Sequence, residues 1–364
     1  MFDGTHQTPN YKTKGIMFLS VENINTLLSN KYISENEYRQ RFKIKPQYLD
    51  VFMTRIGTIG KTNVITTHKP IAYYVSLALL RPQNIQSFFL SFIIQTSKVQ
   101  QDIWKRTLQI AFPQKINKDE IGKVTLALPL QKEQIDIEKL LLKLDKLITL
   151  QQRKLKQLER LKTAMLQQLL ANQRFPKVRF NDFKDSWKDY RLGEVFDEFS
   201  VKSKRENEYK LLSSTTSGME SRSGRVSGHS NIGYKVIDNG DIVLSPQNLW
   251  LGNINLNNMG KGIVSPSYHT FKIVNANPIF VNFQLKTEKM LFEYKMVSVQ
   301  GASVVRRNLD MDAFKKIVIK IPNEKEQIKI ASLFSSISNI INNHQNKLTQ
   351  LSTLKKYLLQ KMFI

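Results

Sequence analysis

An internal repeat constrains this chain more than any other feature. Within its 364 residues, the segment Pro129 to Ala171 aligns without a gap on Pro322 to Ile364, always 193 positions later. Pro129, Lys132, Glu133, Gln134, Ile135 and Ile137 recur as Pro322, Lys325, Glu326, Gln327, Ile328 and Ile330. Further on, Gln152, Lys154, Leu155, Leu158, Leu161 and Lys162 recur as Gln345, Lys347, Leu348, Leu351, Leu354 and Lys355. The same offset carries Leu19 and Ser20 onto Leu212 and Ser213, and Asp119 and Lys123 onto Asp312 and Lys316. A unit used twice must be accommodated by a fold with a pseudo-two-fold internal repeat.

The C-terminal part of each unit reads as a long helix. Apolar residues recur at three and four: Leu140, Leu144, Leu147, Leu155, Leu158, Leu161, Met165 and Leu169, and again at Leu333, Ile337, Ile340, Leu348, Leu351, Leu354 and Leu358. Neither stretch contains proline or glycine, and each follows a proline and a glutamate-bearing first turn, as a helix N-terminus should. About 40 residues at 1.5 Å each make a rod of roughly 60 Å, and one apolar stripe on a rod needs a partner. The other copy is the obvious one, so the two helices are expected to pack on each other as a coiled coil. The polar interruptions Gln151 and His344 fall at equivalent points of the stripe, as a register device or an ordinary solvated defect.

The preceding parts are mixed. Branched and aromatic runs (Ile16 to Val21, Leu49 to Met53, Ile242 to Leu244, His269 to Val274) read as strands between polar turns, while Ile85 to Gln95 and Ile279 to Met290 look helical. The expected fold class is mixed α/β: two globular domains separated by two long antiparallel coiled-coil helices. The expected boundaries are 1–127, 128–172 (spacer helix), 173–321 and 322–364 (second spacer helix). By the offset, Phe175 to Glu194 of the second unit correspond to positions before Met1, so the first domain is expected to be shortened by about twenty residues at its start.

Charge narrows the function. Fifty-five lysines and arginines stand against 30 acids, a net +25, which draws a chain toward a polyanion. The two globular parts carry 17 basic against 8 acidic and 23 against 15 side chains, so both are basic. With 41% hydrophobic residues each part can build a core. The absence of cysteine excludes disulfides, thiolate metal sites and a cysteine nucleophile, and it fits a reducing cytoplasm. Met1 to Lys14 lacks the apolar core of a secretory signal, and Ile71 to Ile94 is broken by Arg81 to Asn84, so no membrane helix is expected.

Catalytic signatures fail on inspection. Ile59-Gly60-Lys61-Thr62 resembles the end of a phosphate-binding loop, but Arg55 stands where the first glycine is required. The histidines are scattered without metal-ligand spacing. Asp310 and Asp312 read as a turn or helix cap rather than an acid–base pair. Neither a glycine-rich cofactor fingerprint nor the Asn-Pro-Pro-aromatic tetrapeptide of amino-methyltransferases occurs. No cofactor or metal is expected in this chain.

Nucleic-acid contacts are the better candidates. Arginine reads guanine edges, and asparagine or glutamine reads adenine. Candidates in the first domain are His6, Lys12, Lys14, Arg39, Arg41, Arg55 and Lys61. Those in the second are Lys202, Lys204, Arg205, Arg222, Arg225, His229, Gln247, Asn248, Trp250, Arg306 and Arg307. Each alone is more often a surface residue or phosphate contact than a base reader.

The whole pattern resembles the specificity subunits of type I restriction-modification systems. The resemblance rests on Asp3-Gly4-Thr5-His6 with Thr8-Pro9 and Gly15 to Ile24. It rests further on Arg174-Phe175-Pro176 with Arg179-Phe180, Trp187 and Leu192-Gly193-Glu194, on Asp50-Val51 and Asp241-Ile242, and on the duplicated Lys-Glu-Gln-Ile helices. It implies two target recognition domains, each reading half of a bipartite site in double-stranded DNA, with the helices as a ruler. It implies a non-catalytic subunit whose partners act. Two methyltransferase subunits methylate adenine at N6 using S-adenosylmethionine, and restriction subunits use ATP and Mg. The rival reading is a non-catalytic coiled-coil scaffold that binds nucleic acid without sequence specificity and shows a steep salt slope.

Overall fold

The computed structural model describes residues 1–222, 230–300 and 307–363. The chain divides into two compact units, Met1–Arg153 with Gln345–Ile364 (unit 1) and Lys154–His344 (unit 2). Each unit therefore takes one globular part and a portion of each long helix.

In unit 1, β1 (Phe2–Asp3), β2 (Ile16–Leu19), β3 (Tyr32–Ile33) and helix α1 (Glu35–Arg41) precede β4 (Val51–Thr54), β5 (Thr62–Val64), β6 (Ile71–Tyr73) and β7 (Leu77–Leu80). One antiparallel sheet has the order β1-β7-β4-β5. A second has the order β3-β2-β6, with β2 and β6 parallel. Side chains alternate across β4: Val51 and Met53 enter one core, and Phe52 the other. Helices α2 (Ser87–Ile94), α3 (Ser97–Lys105) and α4 (Lys118–Gly122) lead to the long helix α5 (Gln131–Leu169).

Unit 2 repeats this topology. It contains β8 (Lys188–Arg191), α6 (Leu192–Val195), β9 (Phe196–Phe199), β10 (Lys210–Ser214), β11 (Met219–Ser221), β12 (Lys235–Ile237) and β13 (Ile242–Leu244). These are followed by β14 (Ile254–Leu256), β15 (Gly262–Val264), β16 (His269–Ile273), α7 (Pro278–Gln284), α8 (Glu288–Met296), β17 (Ser298–Gln300) and β18 (Arg307–Leu309). Last come α9 (Met311–Lys316), β19 (Val318–Ile321) and the long helix α10 (Glu324–Lys361). The order β9-β16-β13-β14 reproduces β1-β7-β4-β5; in the four-stranded sheet β11-β10-β15-β12 the first three strands, with β10 and β15 parallel, reproduce β3-β2-β6, and β12 adds an antiparallel edge on β15. Ile242 and Leu244 enter one core and Val243 another, as on β4. Among the described residues only unit 2 has a β8–β19 pair, antiparallel over four residues a side.

Equal sequence produces equal local contacts. Asp50 and Asp241 each close the turn before a central strand, accepting from the amides of Gln47 and Asp238. Gln134 donates to Pro129 O and accepts from the Gln86 amide, while Gln327 donates to Pro322 O and accepts from the Asn277 amide. The shared Pro-to-Gln spacing thus docks each long helix on its globular part. Asp310 caps α9 through the amides of Asp312 and Ala313. The helix expected over Ile279 to Met290 is instead two, because the Thr287 hydroxyl caps α8 at the Met290 amide.

The long helix segments run antiparallel within each unit. In unit 1, Lys355 donates to Asp145 (2.5 Å) and lies over the Phe92 ring. In unit 2, Lys162 donates to Ser338 (2.9 Å) and lies over Phe283. Lys162 and Lys355 are repeat-equivalent, as are Asp145 and Ser338. Burial lowers the Lys162 pKa, and its partner is a neutral hydroxyl.

Candidate nucleic-acid interface

The clearest constellation in unit 2 is built by two chain segments. After β13 the chain turns through Gln247 and Asn248 into a single helical turn, Leu249–Leu251, whose Leu249 is buried and anchors the loop. The β17–β18 hairpin returns beside it: the Arg307 amide donates to Gln247 O, and its guanidinium lies 5.1 Å from the centre of the Trp250 ring. Arg307 also donates to Ser298 O (3.2 Å). Gln247 is exposed, and Asn248, Trp250 and Arg307 are half-buried. An amide, an indole and a guanidinium held on one loop cluster can contact base edges, a base face and phosphate.

Lys202, Lys204 and Arg205 are exposed on the loop before β10, where the amides of Lys204 and Arg205 both donate to Glu208. Arg222 is exposed just past β11, its amide donating to Leu211 O. None of these four cations is in an ion pair among the described residues. Arg225, His229 and Arg306 lie outside the described residues. Behind the Gln247 loop, Ser214, Asn253 and Asn255 form a buried polar network, and Lys286 donates to Gly252 O and Asn255 Oδ1, both 2.7 Å. Burial without a carboxylate lowers the Lys286 pKa to about 8.

In unit 1, His6, Lys12 and Lys14 are exposed on the loop between β1 and β2, where the Lys12 amide donates to Tyr32 O. Arg39 and Arg41 lie on α1, paired one helical turn back with Glu35 (3.5 Å) and Glu37 (3.3 Å). The Arg39–Glu35 pair is exposed, so it is worth under about 1 kcal/mol and exchanges readily for a phosphate, whereas the Glu37 side chain facing Arg41 is largely buried. Arg55 is placed differently from its expected role. It is buried, ion-paired with Asp3 and donates to Ile116 O, so its guanidinium holds the unit together instead of facing a ligand. Lys61 is exposed in the β4–β5 turn, which closes a hairpin and does not open a helix, so no phosphate loop forms.

Sequence reasoning passed over a protruding loop after α3. Leu108, Ile110 and Phe112 are exposed there beside Lys115, next to the exposed Trp104 and Lys105 at the end of α3. Its signal was the apolar run Ile110 to Pro113 between basic residues. Among the described residues, no group of three acidic or histidine side chains could hold a metal ion, and no helix is long and apolar enough to cross a membrane. His269 stacks on Phe271 and faces Glu198 (2.6 Å), and His68 stacks on Tyr48.

Comparison with known proteins agrees with the repeated architecture. Residues 184–353 match the family described as type I restriction modification DNA specificity domain. The specificity subunit assigned to the MjaX type I restriction enzyme of Methanocaldococcus jannaschii is 24% identical over 335 residues, covering 85% of this chain and 76% of that one. The crystal structure of a type I restriction-modification S subunit from M. genitalium superposes with a TM-score of 0.59 at 14% identity, over 100% of this chain and 92% of that one. A chain from a type I restriction-modification assembly superposes with a TM-score of 0.55 at 13% identity, over 98% and 92%. At such identities the structural likeness is one of fold.

Proposed function

Because residues 184–353 belong to the type I restriction modification DNA specificity domain family and unit 1 repeats the topology of unit 2, we propose that this chain reads a two-part DNA target, one half with each unit. The observation that carries the reading is the duplication itself. The sheets β1-β7-β4-β5 and β9-β16-β13-β14, in units that each meet a long helix through the same glutamine (Gln134 or Gln327) accepting from the amide of Gln86 or Asn277, are read as two copies of one recognition module. Two half-sites on one face of a duplex recur at about one helical turn, roughly 34 Å, so stiff connecting helices convert protein geometry into a fixed stretch of unread bases.

The chain itself is read as non-catalytic. Methyltransferase subunits, two per chain, supply S-adenosylmethionine and adenine N6 methylation, and restriction subunits supply ATP- and Mg-dependent cleavage. The basic surface provides salt-dependent attraction, while the Gln247–Trp250–Arg307 cluster and Arg222 provide discrimination. The reading is tested by selecting duplexes from a randomised pool with the chain bound to its methyltransferase subunits. Two fixed blocks separated by a constant gap are expected. Retention of all sequences alike, weakening steeply with salt, would instead mark a scaffold.

A further inference from the structure

Between α3 and α4, unit 1 carries a loop in the place that the β17–β18 hairpin takes in unit 2. The Thr107 hydroxyl donates to Ile103 O (2.8 Å) as the Ser298 hydroxyl donates to Tyr294 O (2.6 Å), each just past the preceding helix. Leu108 then pairs antiparallel with Lys115 as Val299 pairs with Asn308. In unit 2 that hairpin brings Arg307 to the Trp250 ring, so the unit 1 loop stands where its own module would meet a ligand. Its contents are different. In place of a guanidinium, the unit 1 loop presents Ile110 and Phe112, both fully exposed.

The exposed tip sits on a braced neck. The Leu108 amide donates to Lys115 O (2.9 Å), the Gly57 amide to Gln114 O (2.8 Å) and the Ile116 amide to Arg55 O (3.0 Å). Arg55 Nε donates back to Ile116 O (3.3 Å), so the buried Arg55–Asp3 pair anchors the neck to the sheet. Beside the tip, Gln114 Nε2 donates to Gln109 Oε1 (3.1 Å), and Gln109 Nε2 donates to Trp104 O (3.0 Å). The surroundings are positive. Lys105, Lys115 and Lys118 are exposed and in no ion pair among the described residues. Of the acids on α3 and α4, Asp102 and Glu120 are engaged by Arg106 (3.0 and 3.6 Å), which leaves only Asp119 against those lysines. Exposed Lys61 adds to them from the β4–β5 turn, whose Gly60 O accepts from Gln100 on α3. A rigid apolar tip among unpaired cations matches a nucleic-acid duplex, which offers phosphates to the cations and base faces to the apolar groups.

We propose that residues 109–114 form a wedge that enters a base step of duplex DNA, with Phe112 stacked on a base face, Ile110 beside it, and Lys105 and Lys115 on nearby phosphates. Apolar side chains used in this way part neighbouring bases and kink the duplex. The cost of parting them depends on the step and is low for pyrimidine–purine steps. The wedge therefore selects sequence through deformability, without a hydrogen bond to any base edge. Because the neck is held before DNA arrives, little order has to be gained on binding. This role rests on the reading of unit 1 as a DNA-recognition module and adds to it an apolar contact that the polar candidates do not supply.

The test uses the full chain bound to its methyltransferase subunits and the duplex it selects, with 2-aminopurine placed singly at positions across the target. Binding should raise the fluorescence at one step, and Phe112→Ala should abolish that rise while Phe112→Leu, still an apolar wedge, keeps it. Phe112→Ala should also weaken binding about tenfold, the scale of one lost aromatic–base stack. An abasic site at the same step, unstacked beforehand, should restore most of that loss. Fluorescence and affinity both unmoved by Phe112→Ala, with the two-part preference intact, overturn the wedge and leave the DNA reading standing. Retention of all sequences alike by the unaltered complex removes the DNA reading and the wedge with it. Release of methyltransferase subunits from the Phe112→Ala chain without DNA, seen by sedimentation, would make the loop a protein contact and overturn the wedge.

Discussion

The Arg179–Glu326 pair permits a prediction with its control in the same molecule. Both guanidinium bonds to the carboxylate are 2.7 Å, the Glu326 side chain is 0% exposed and the Arg179 side chain 12%. Replacing Glu326 by Gln leaves a desolvated guanidinium facing a neutral amide. Losing one partner of a buried pair costs about 3–5 kcal/mol, which agrees with two charge-assisted bonds of about 1.5–3 kcal/mol each, less what the amide restores. For a unit of this size that is a drop in melting temperature of roughly 6 to 20 °C. Glu133 occupies the repeat-equivalent place on α5 but is exposed, so Glu133→Gln should change stability by less than about 0.5 kcal/mol. Urea unfolding of the full chain, followed by hydrogen exchange in peptides around Trp187 and Phe334 for unit 2 and around Phe18 and Leu79 for unit 1, separates the two transitions. The combined change Arg179→Met with Glu326→Leu should recover most of the loss, because an apolar pair of similar volume carries no stranded charge. Equal effects of the Glu326 and Glu133 substitutions, or a cost below about 1 kcal/mol for Glu326→Gln, would refute the reasoning.

Arg222→Ala is expected to weaken binding to the preferred target by about 1–3 kcal/mol if Arg222 reads a base; competition binding against single-base variants should then show relaxed preference at one position, whereas equal weakening on all sequences would make it a phosphate contact. Adding four residues after Leu150 and four after Asn343 lengthens both connecting helices by about 6 Å, close to two base-pair steps of about 3.4 Å; the methylated motif should gain unread bases while both half-sites stay the same, and an unaltered gap would contradict the ruler. Lys286 titrates at about 8 in the folded chain against 10.5 as its ordinary value, so the unfolded state holds more protons between these pH values and unit 2 should gain stability as pH rises from about 8 to 10.5. Lys286→Met should abolish that increment in pH-dependent urea titrations, and an unchanged slope would show that burial of this ammonium carries little energy.

The repeat was legible as self-similarity at a constant offset of 193 positions, and the long helices and several strands as short-range patterns: period 3.6 in the leucine stripes, and apolar runs at Ile242–Leu244 and Ile16–Leu19. The strand order was not legible. Neighbours such as β2 and β6, or β10 and β15, lie far apart in sequence and pair in parallel, and no local periodicity records that. The break at Thr287 was hidden because Ile279 to Met290 is apolar enough to continue as a helix, and only a hydroxyl cap interrupts it. Among the candidate contacts, charge alone could not separate Lys61, which is exposed, from Arg55, which is committed to Asp3 across 52 residues of chain. The joining of Gln247 and Trp250 to Arg307 depended on a hairpin that the sequence did not announce.

The central claim, that this chain chooses the DNA sequence on which partner subunits act, is tested most directly by a methylome. Genomic DNA from a host expressing the chain with its methyltransferase subunits is compared with DNA from the same host lacking only this chain. The account predicts a two-part N6-methyladenine motif with a constant unread gap that appears only when the chain is present. Methylation at the same sites without the chain, or a motif with a single uninterrupted block, would contradict it.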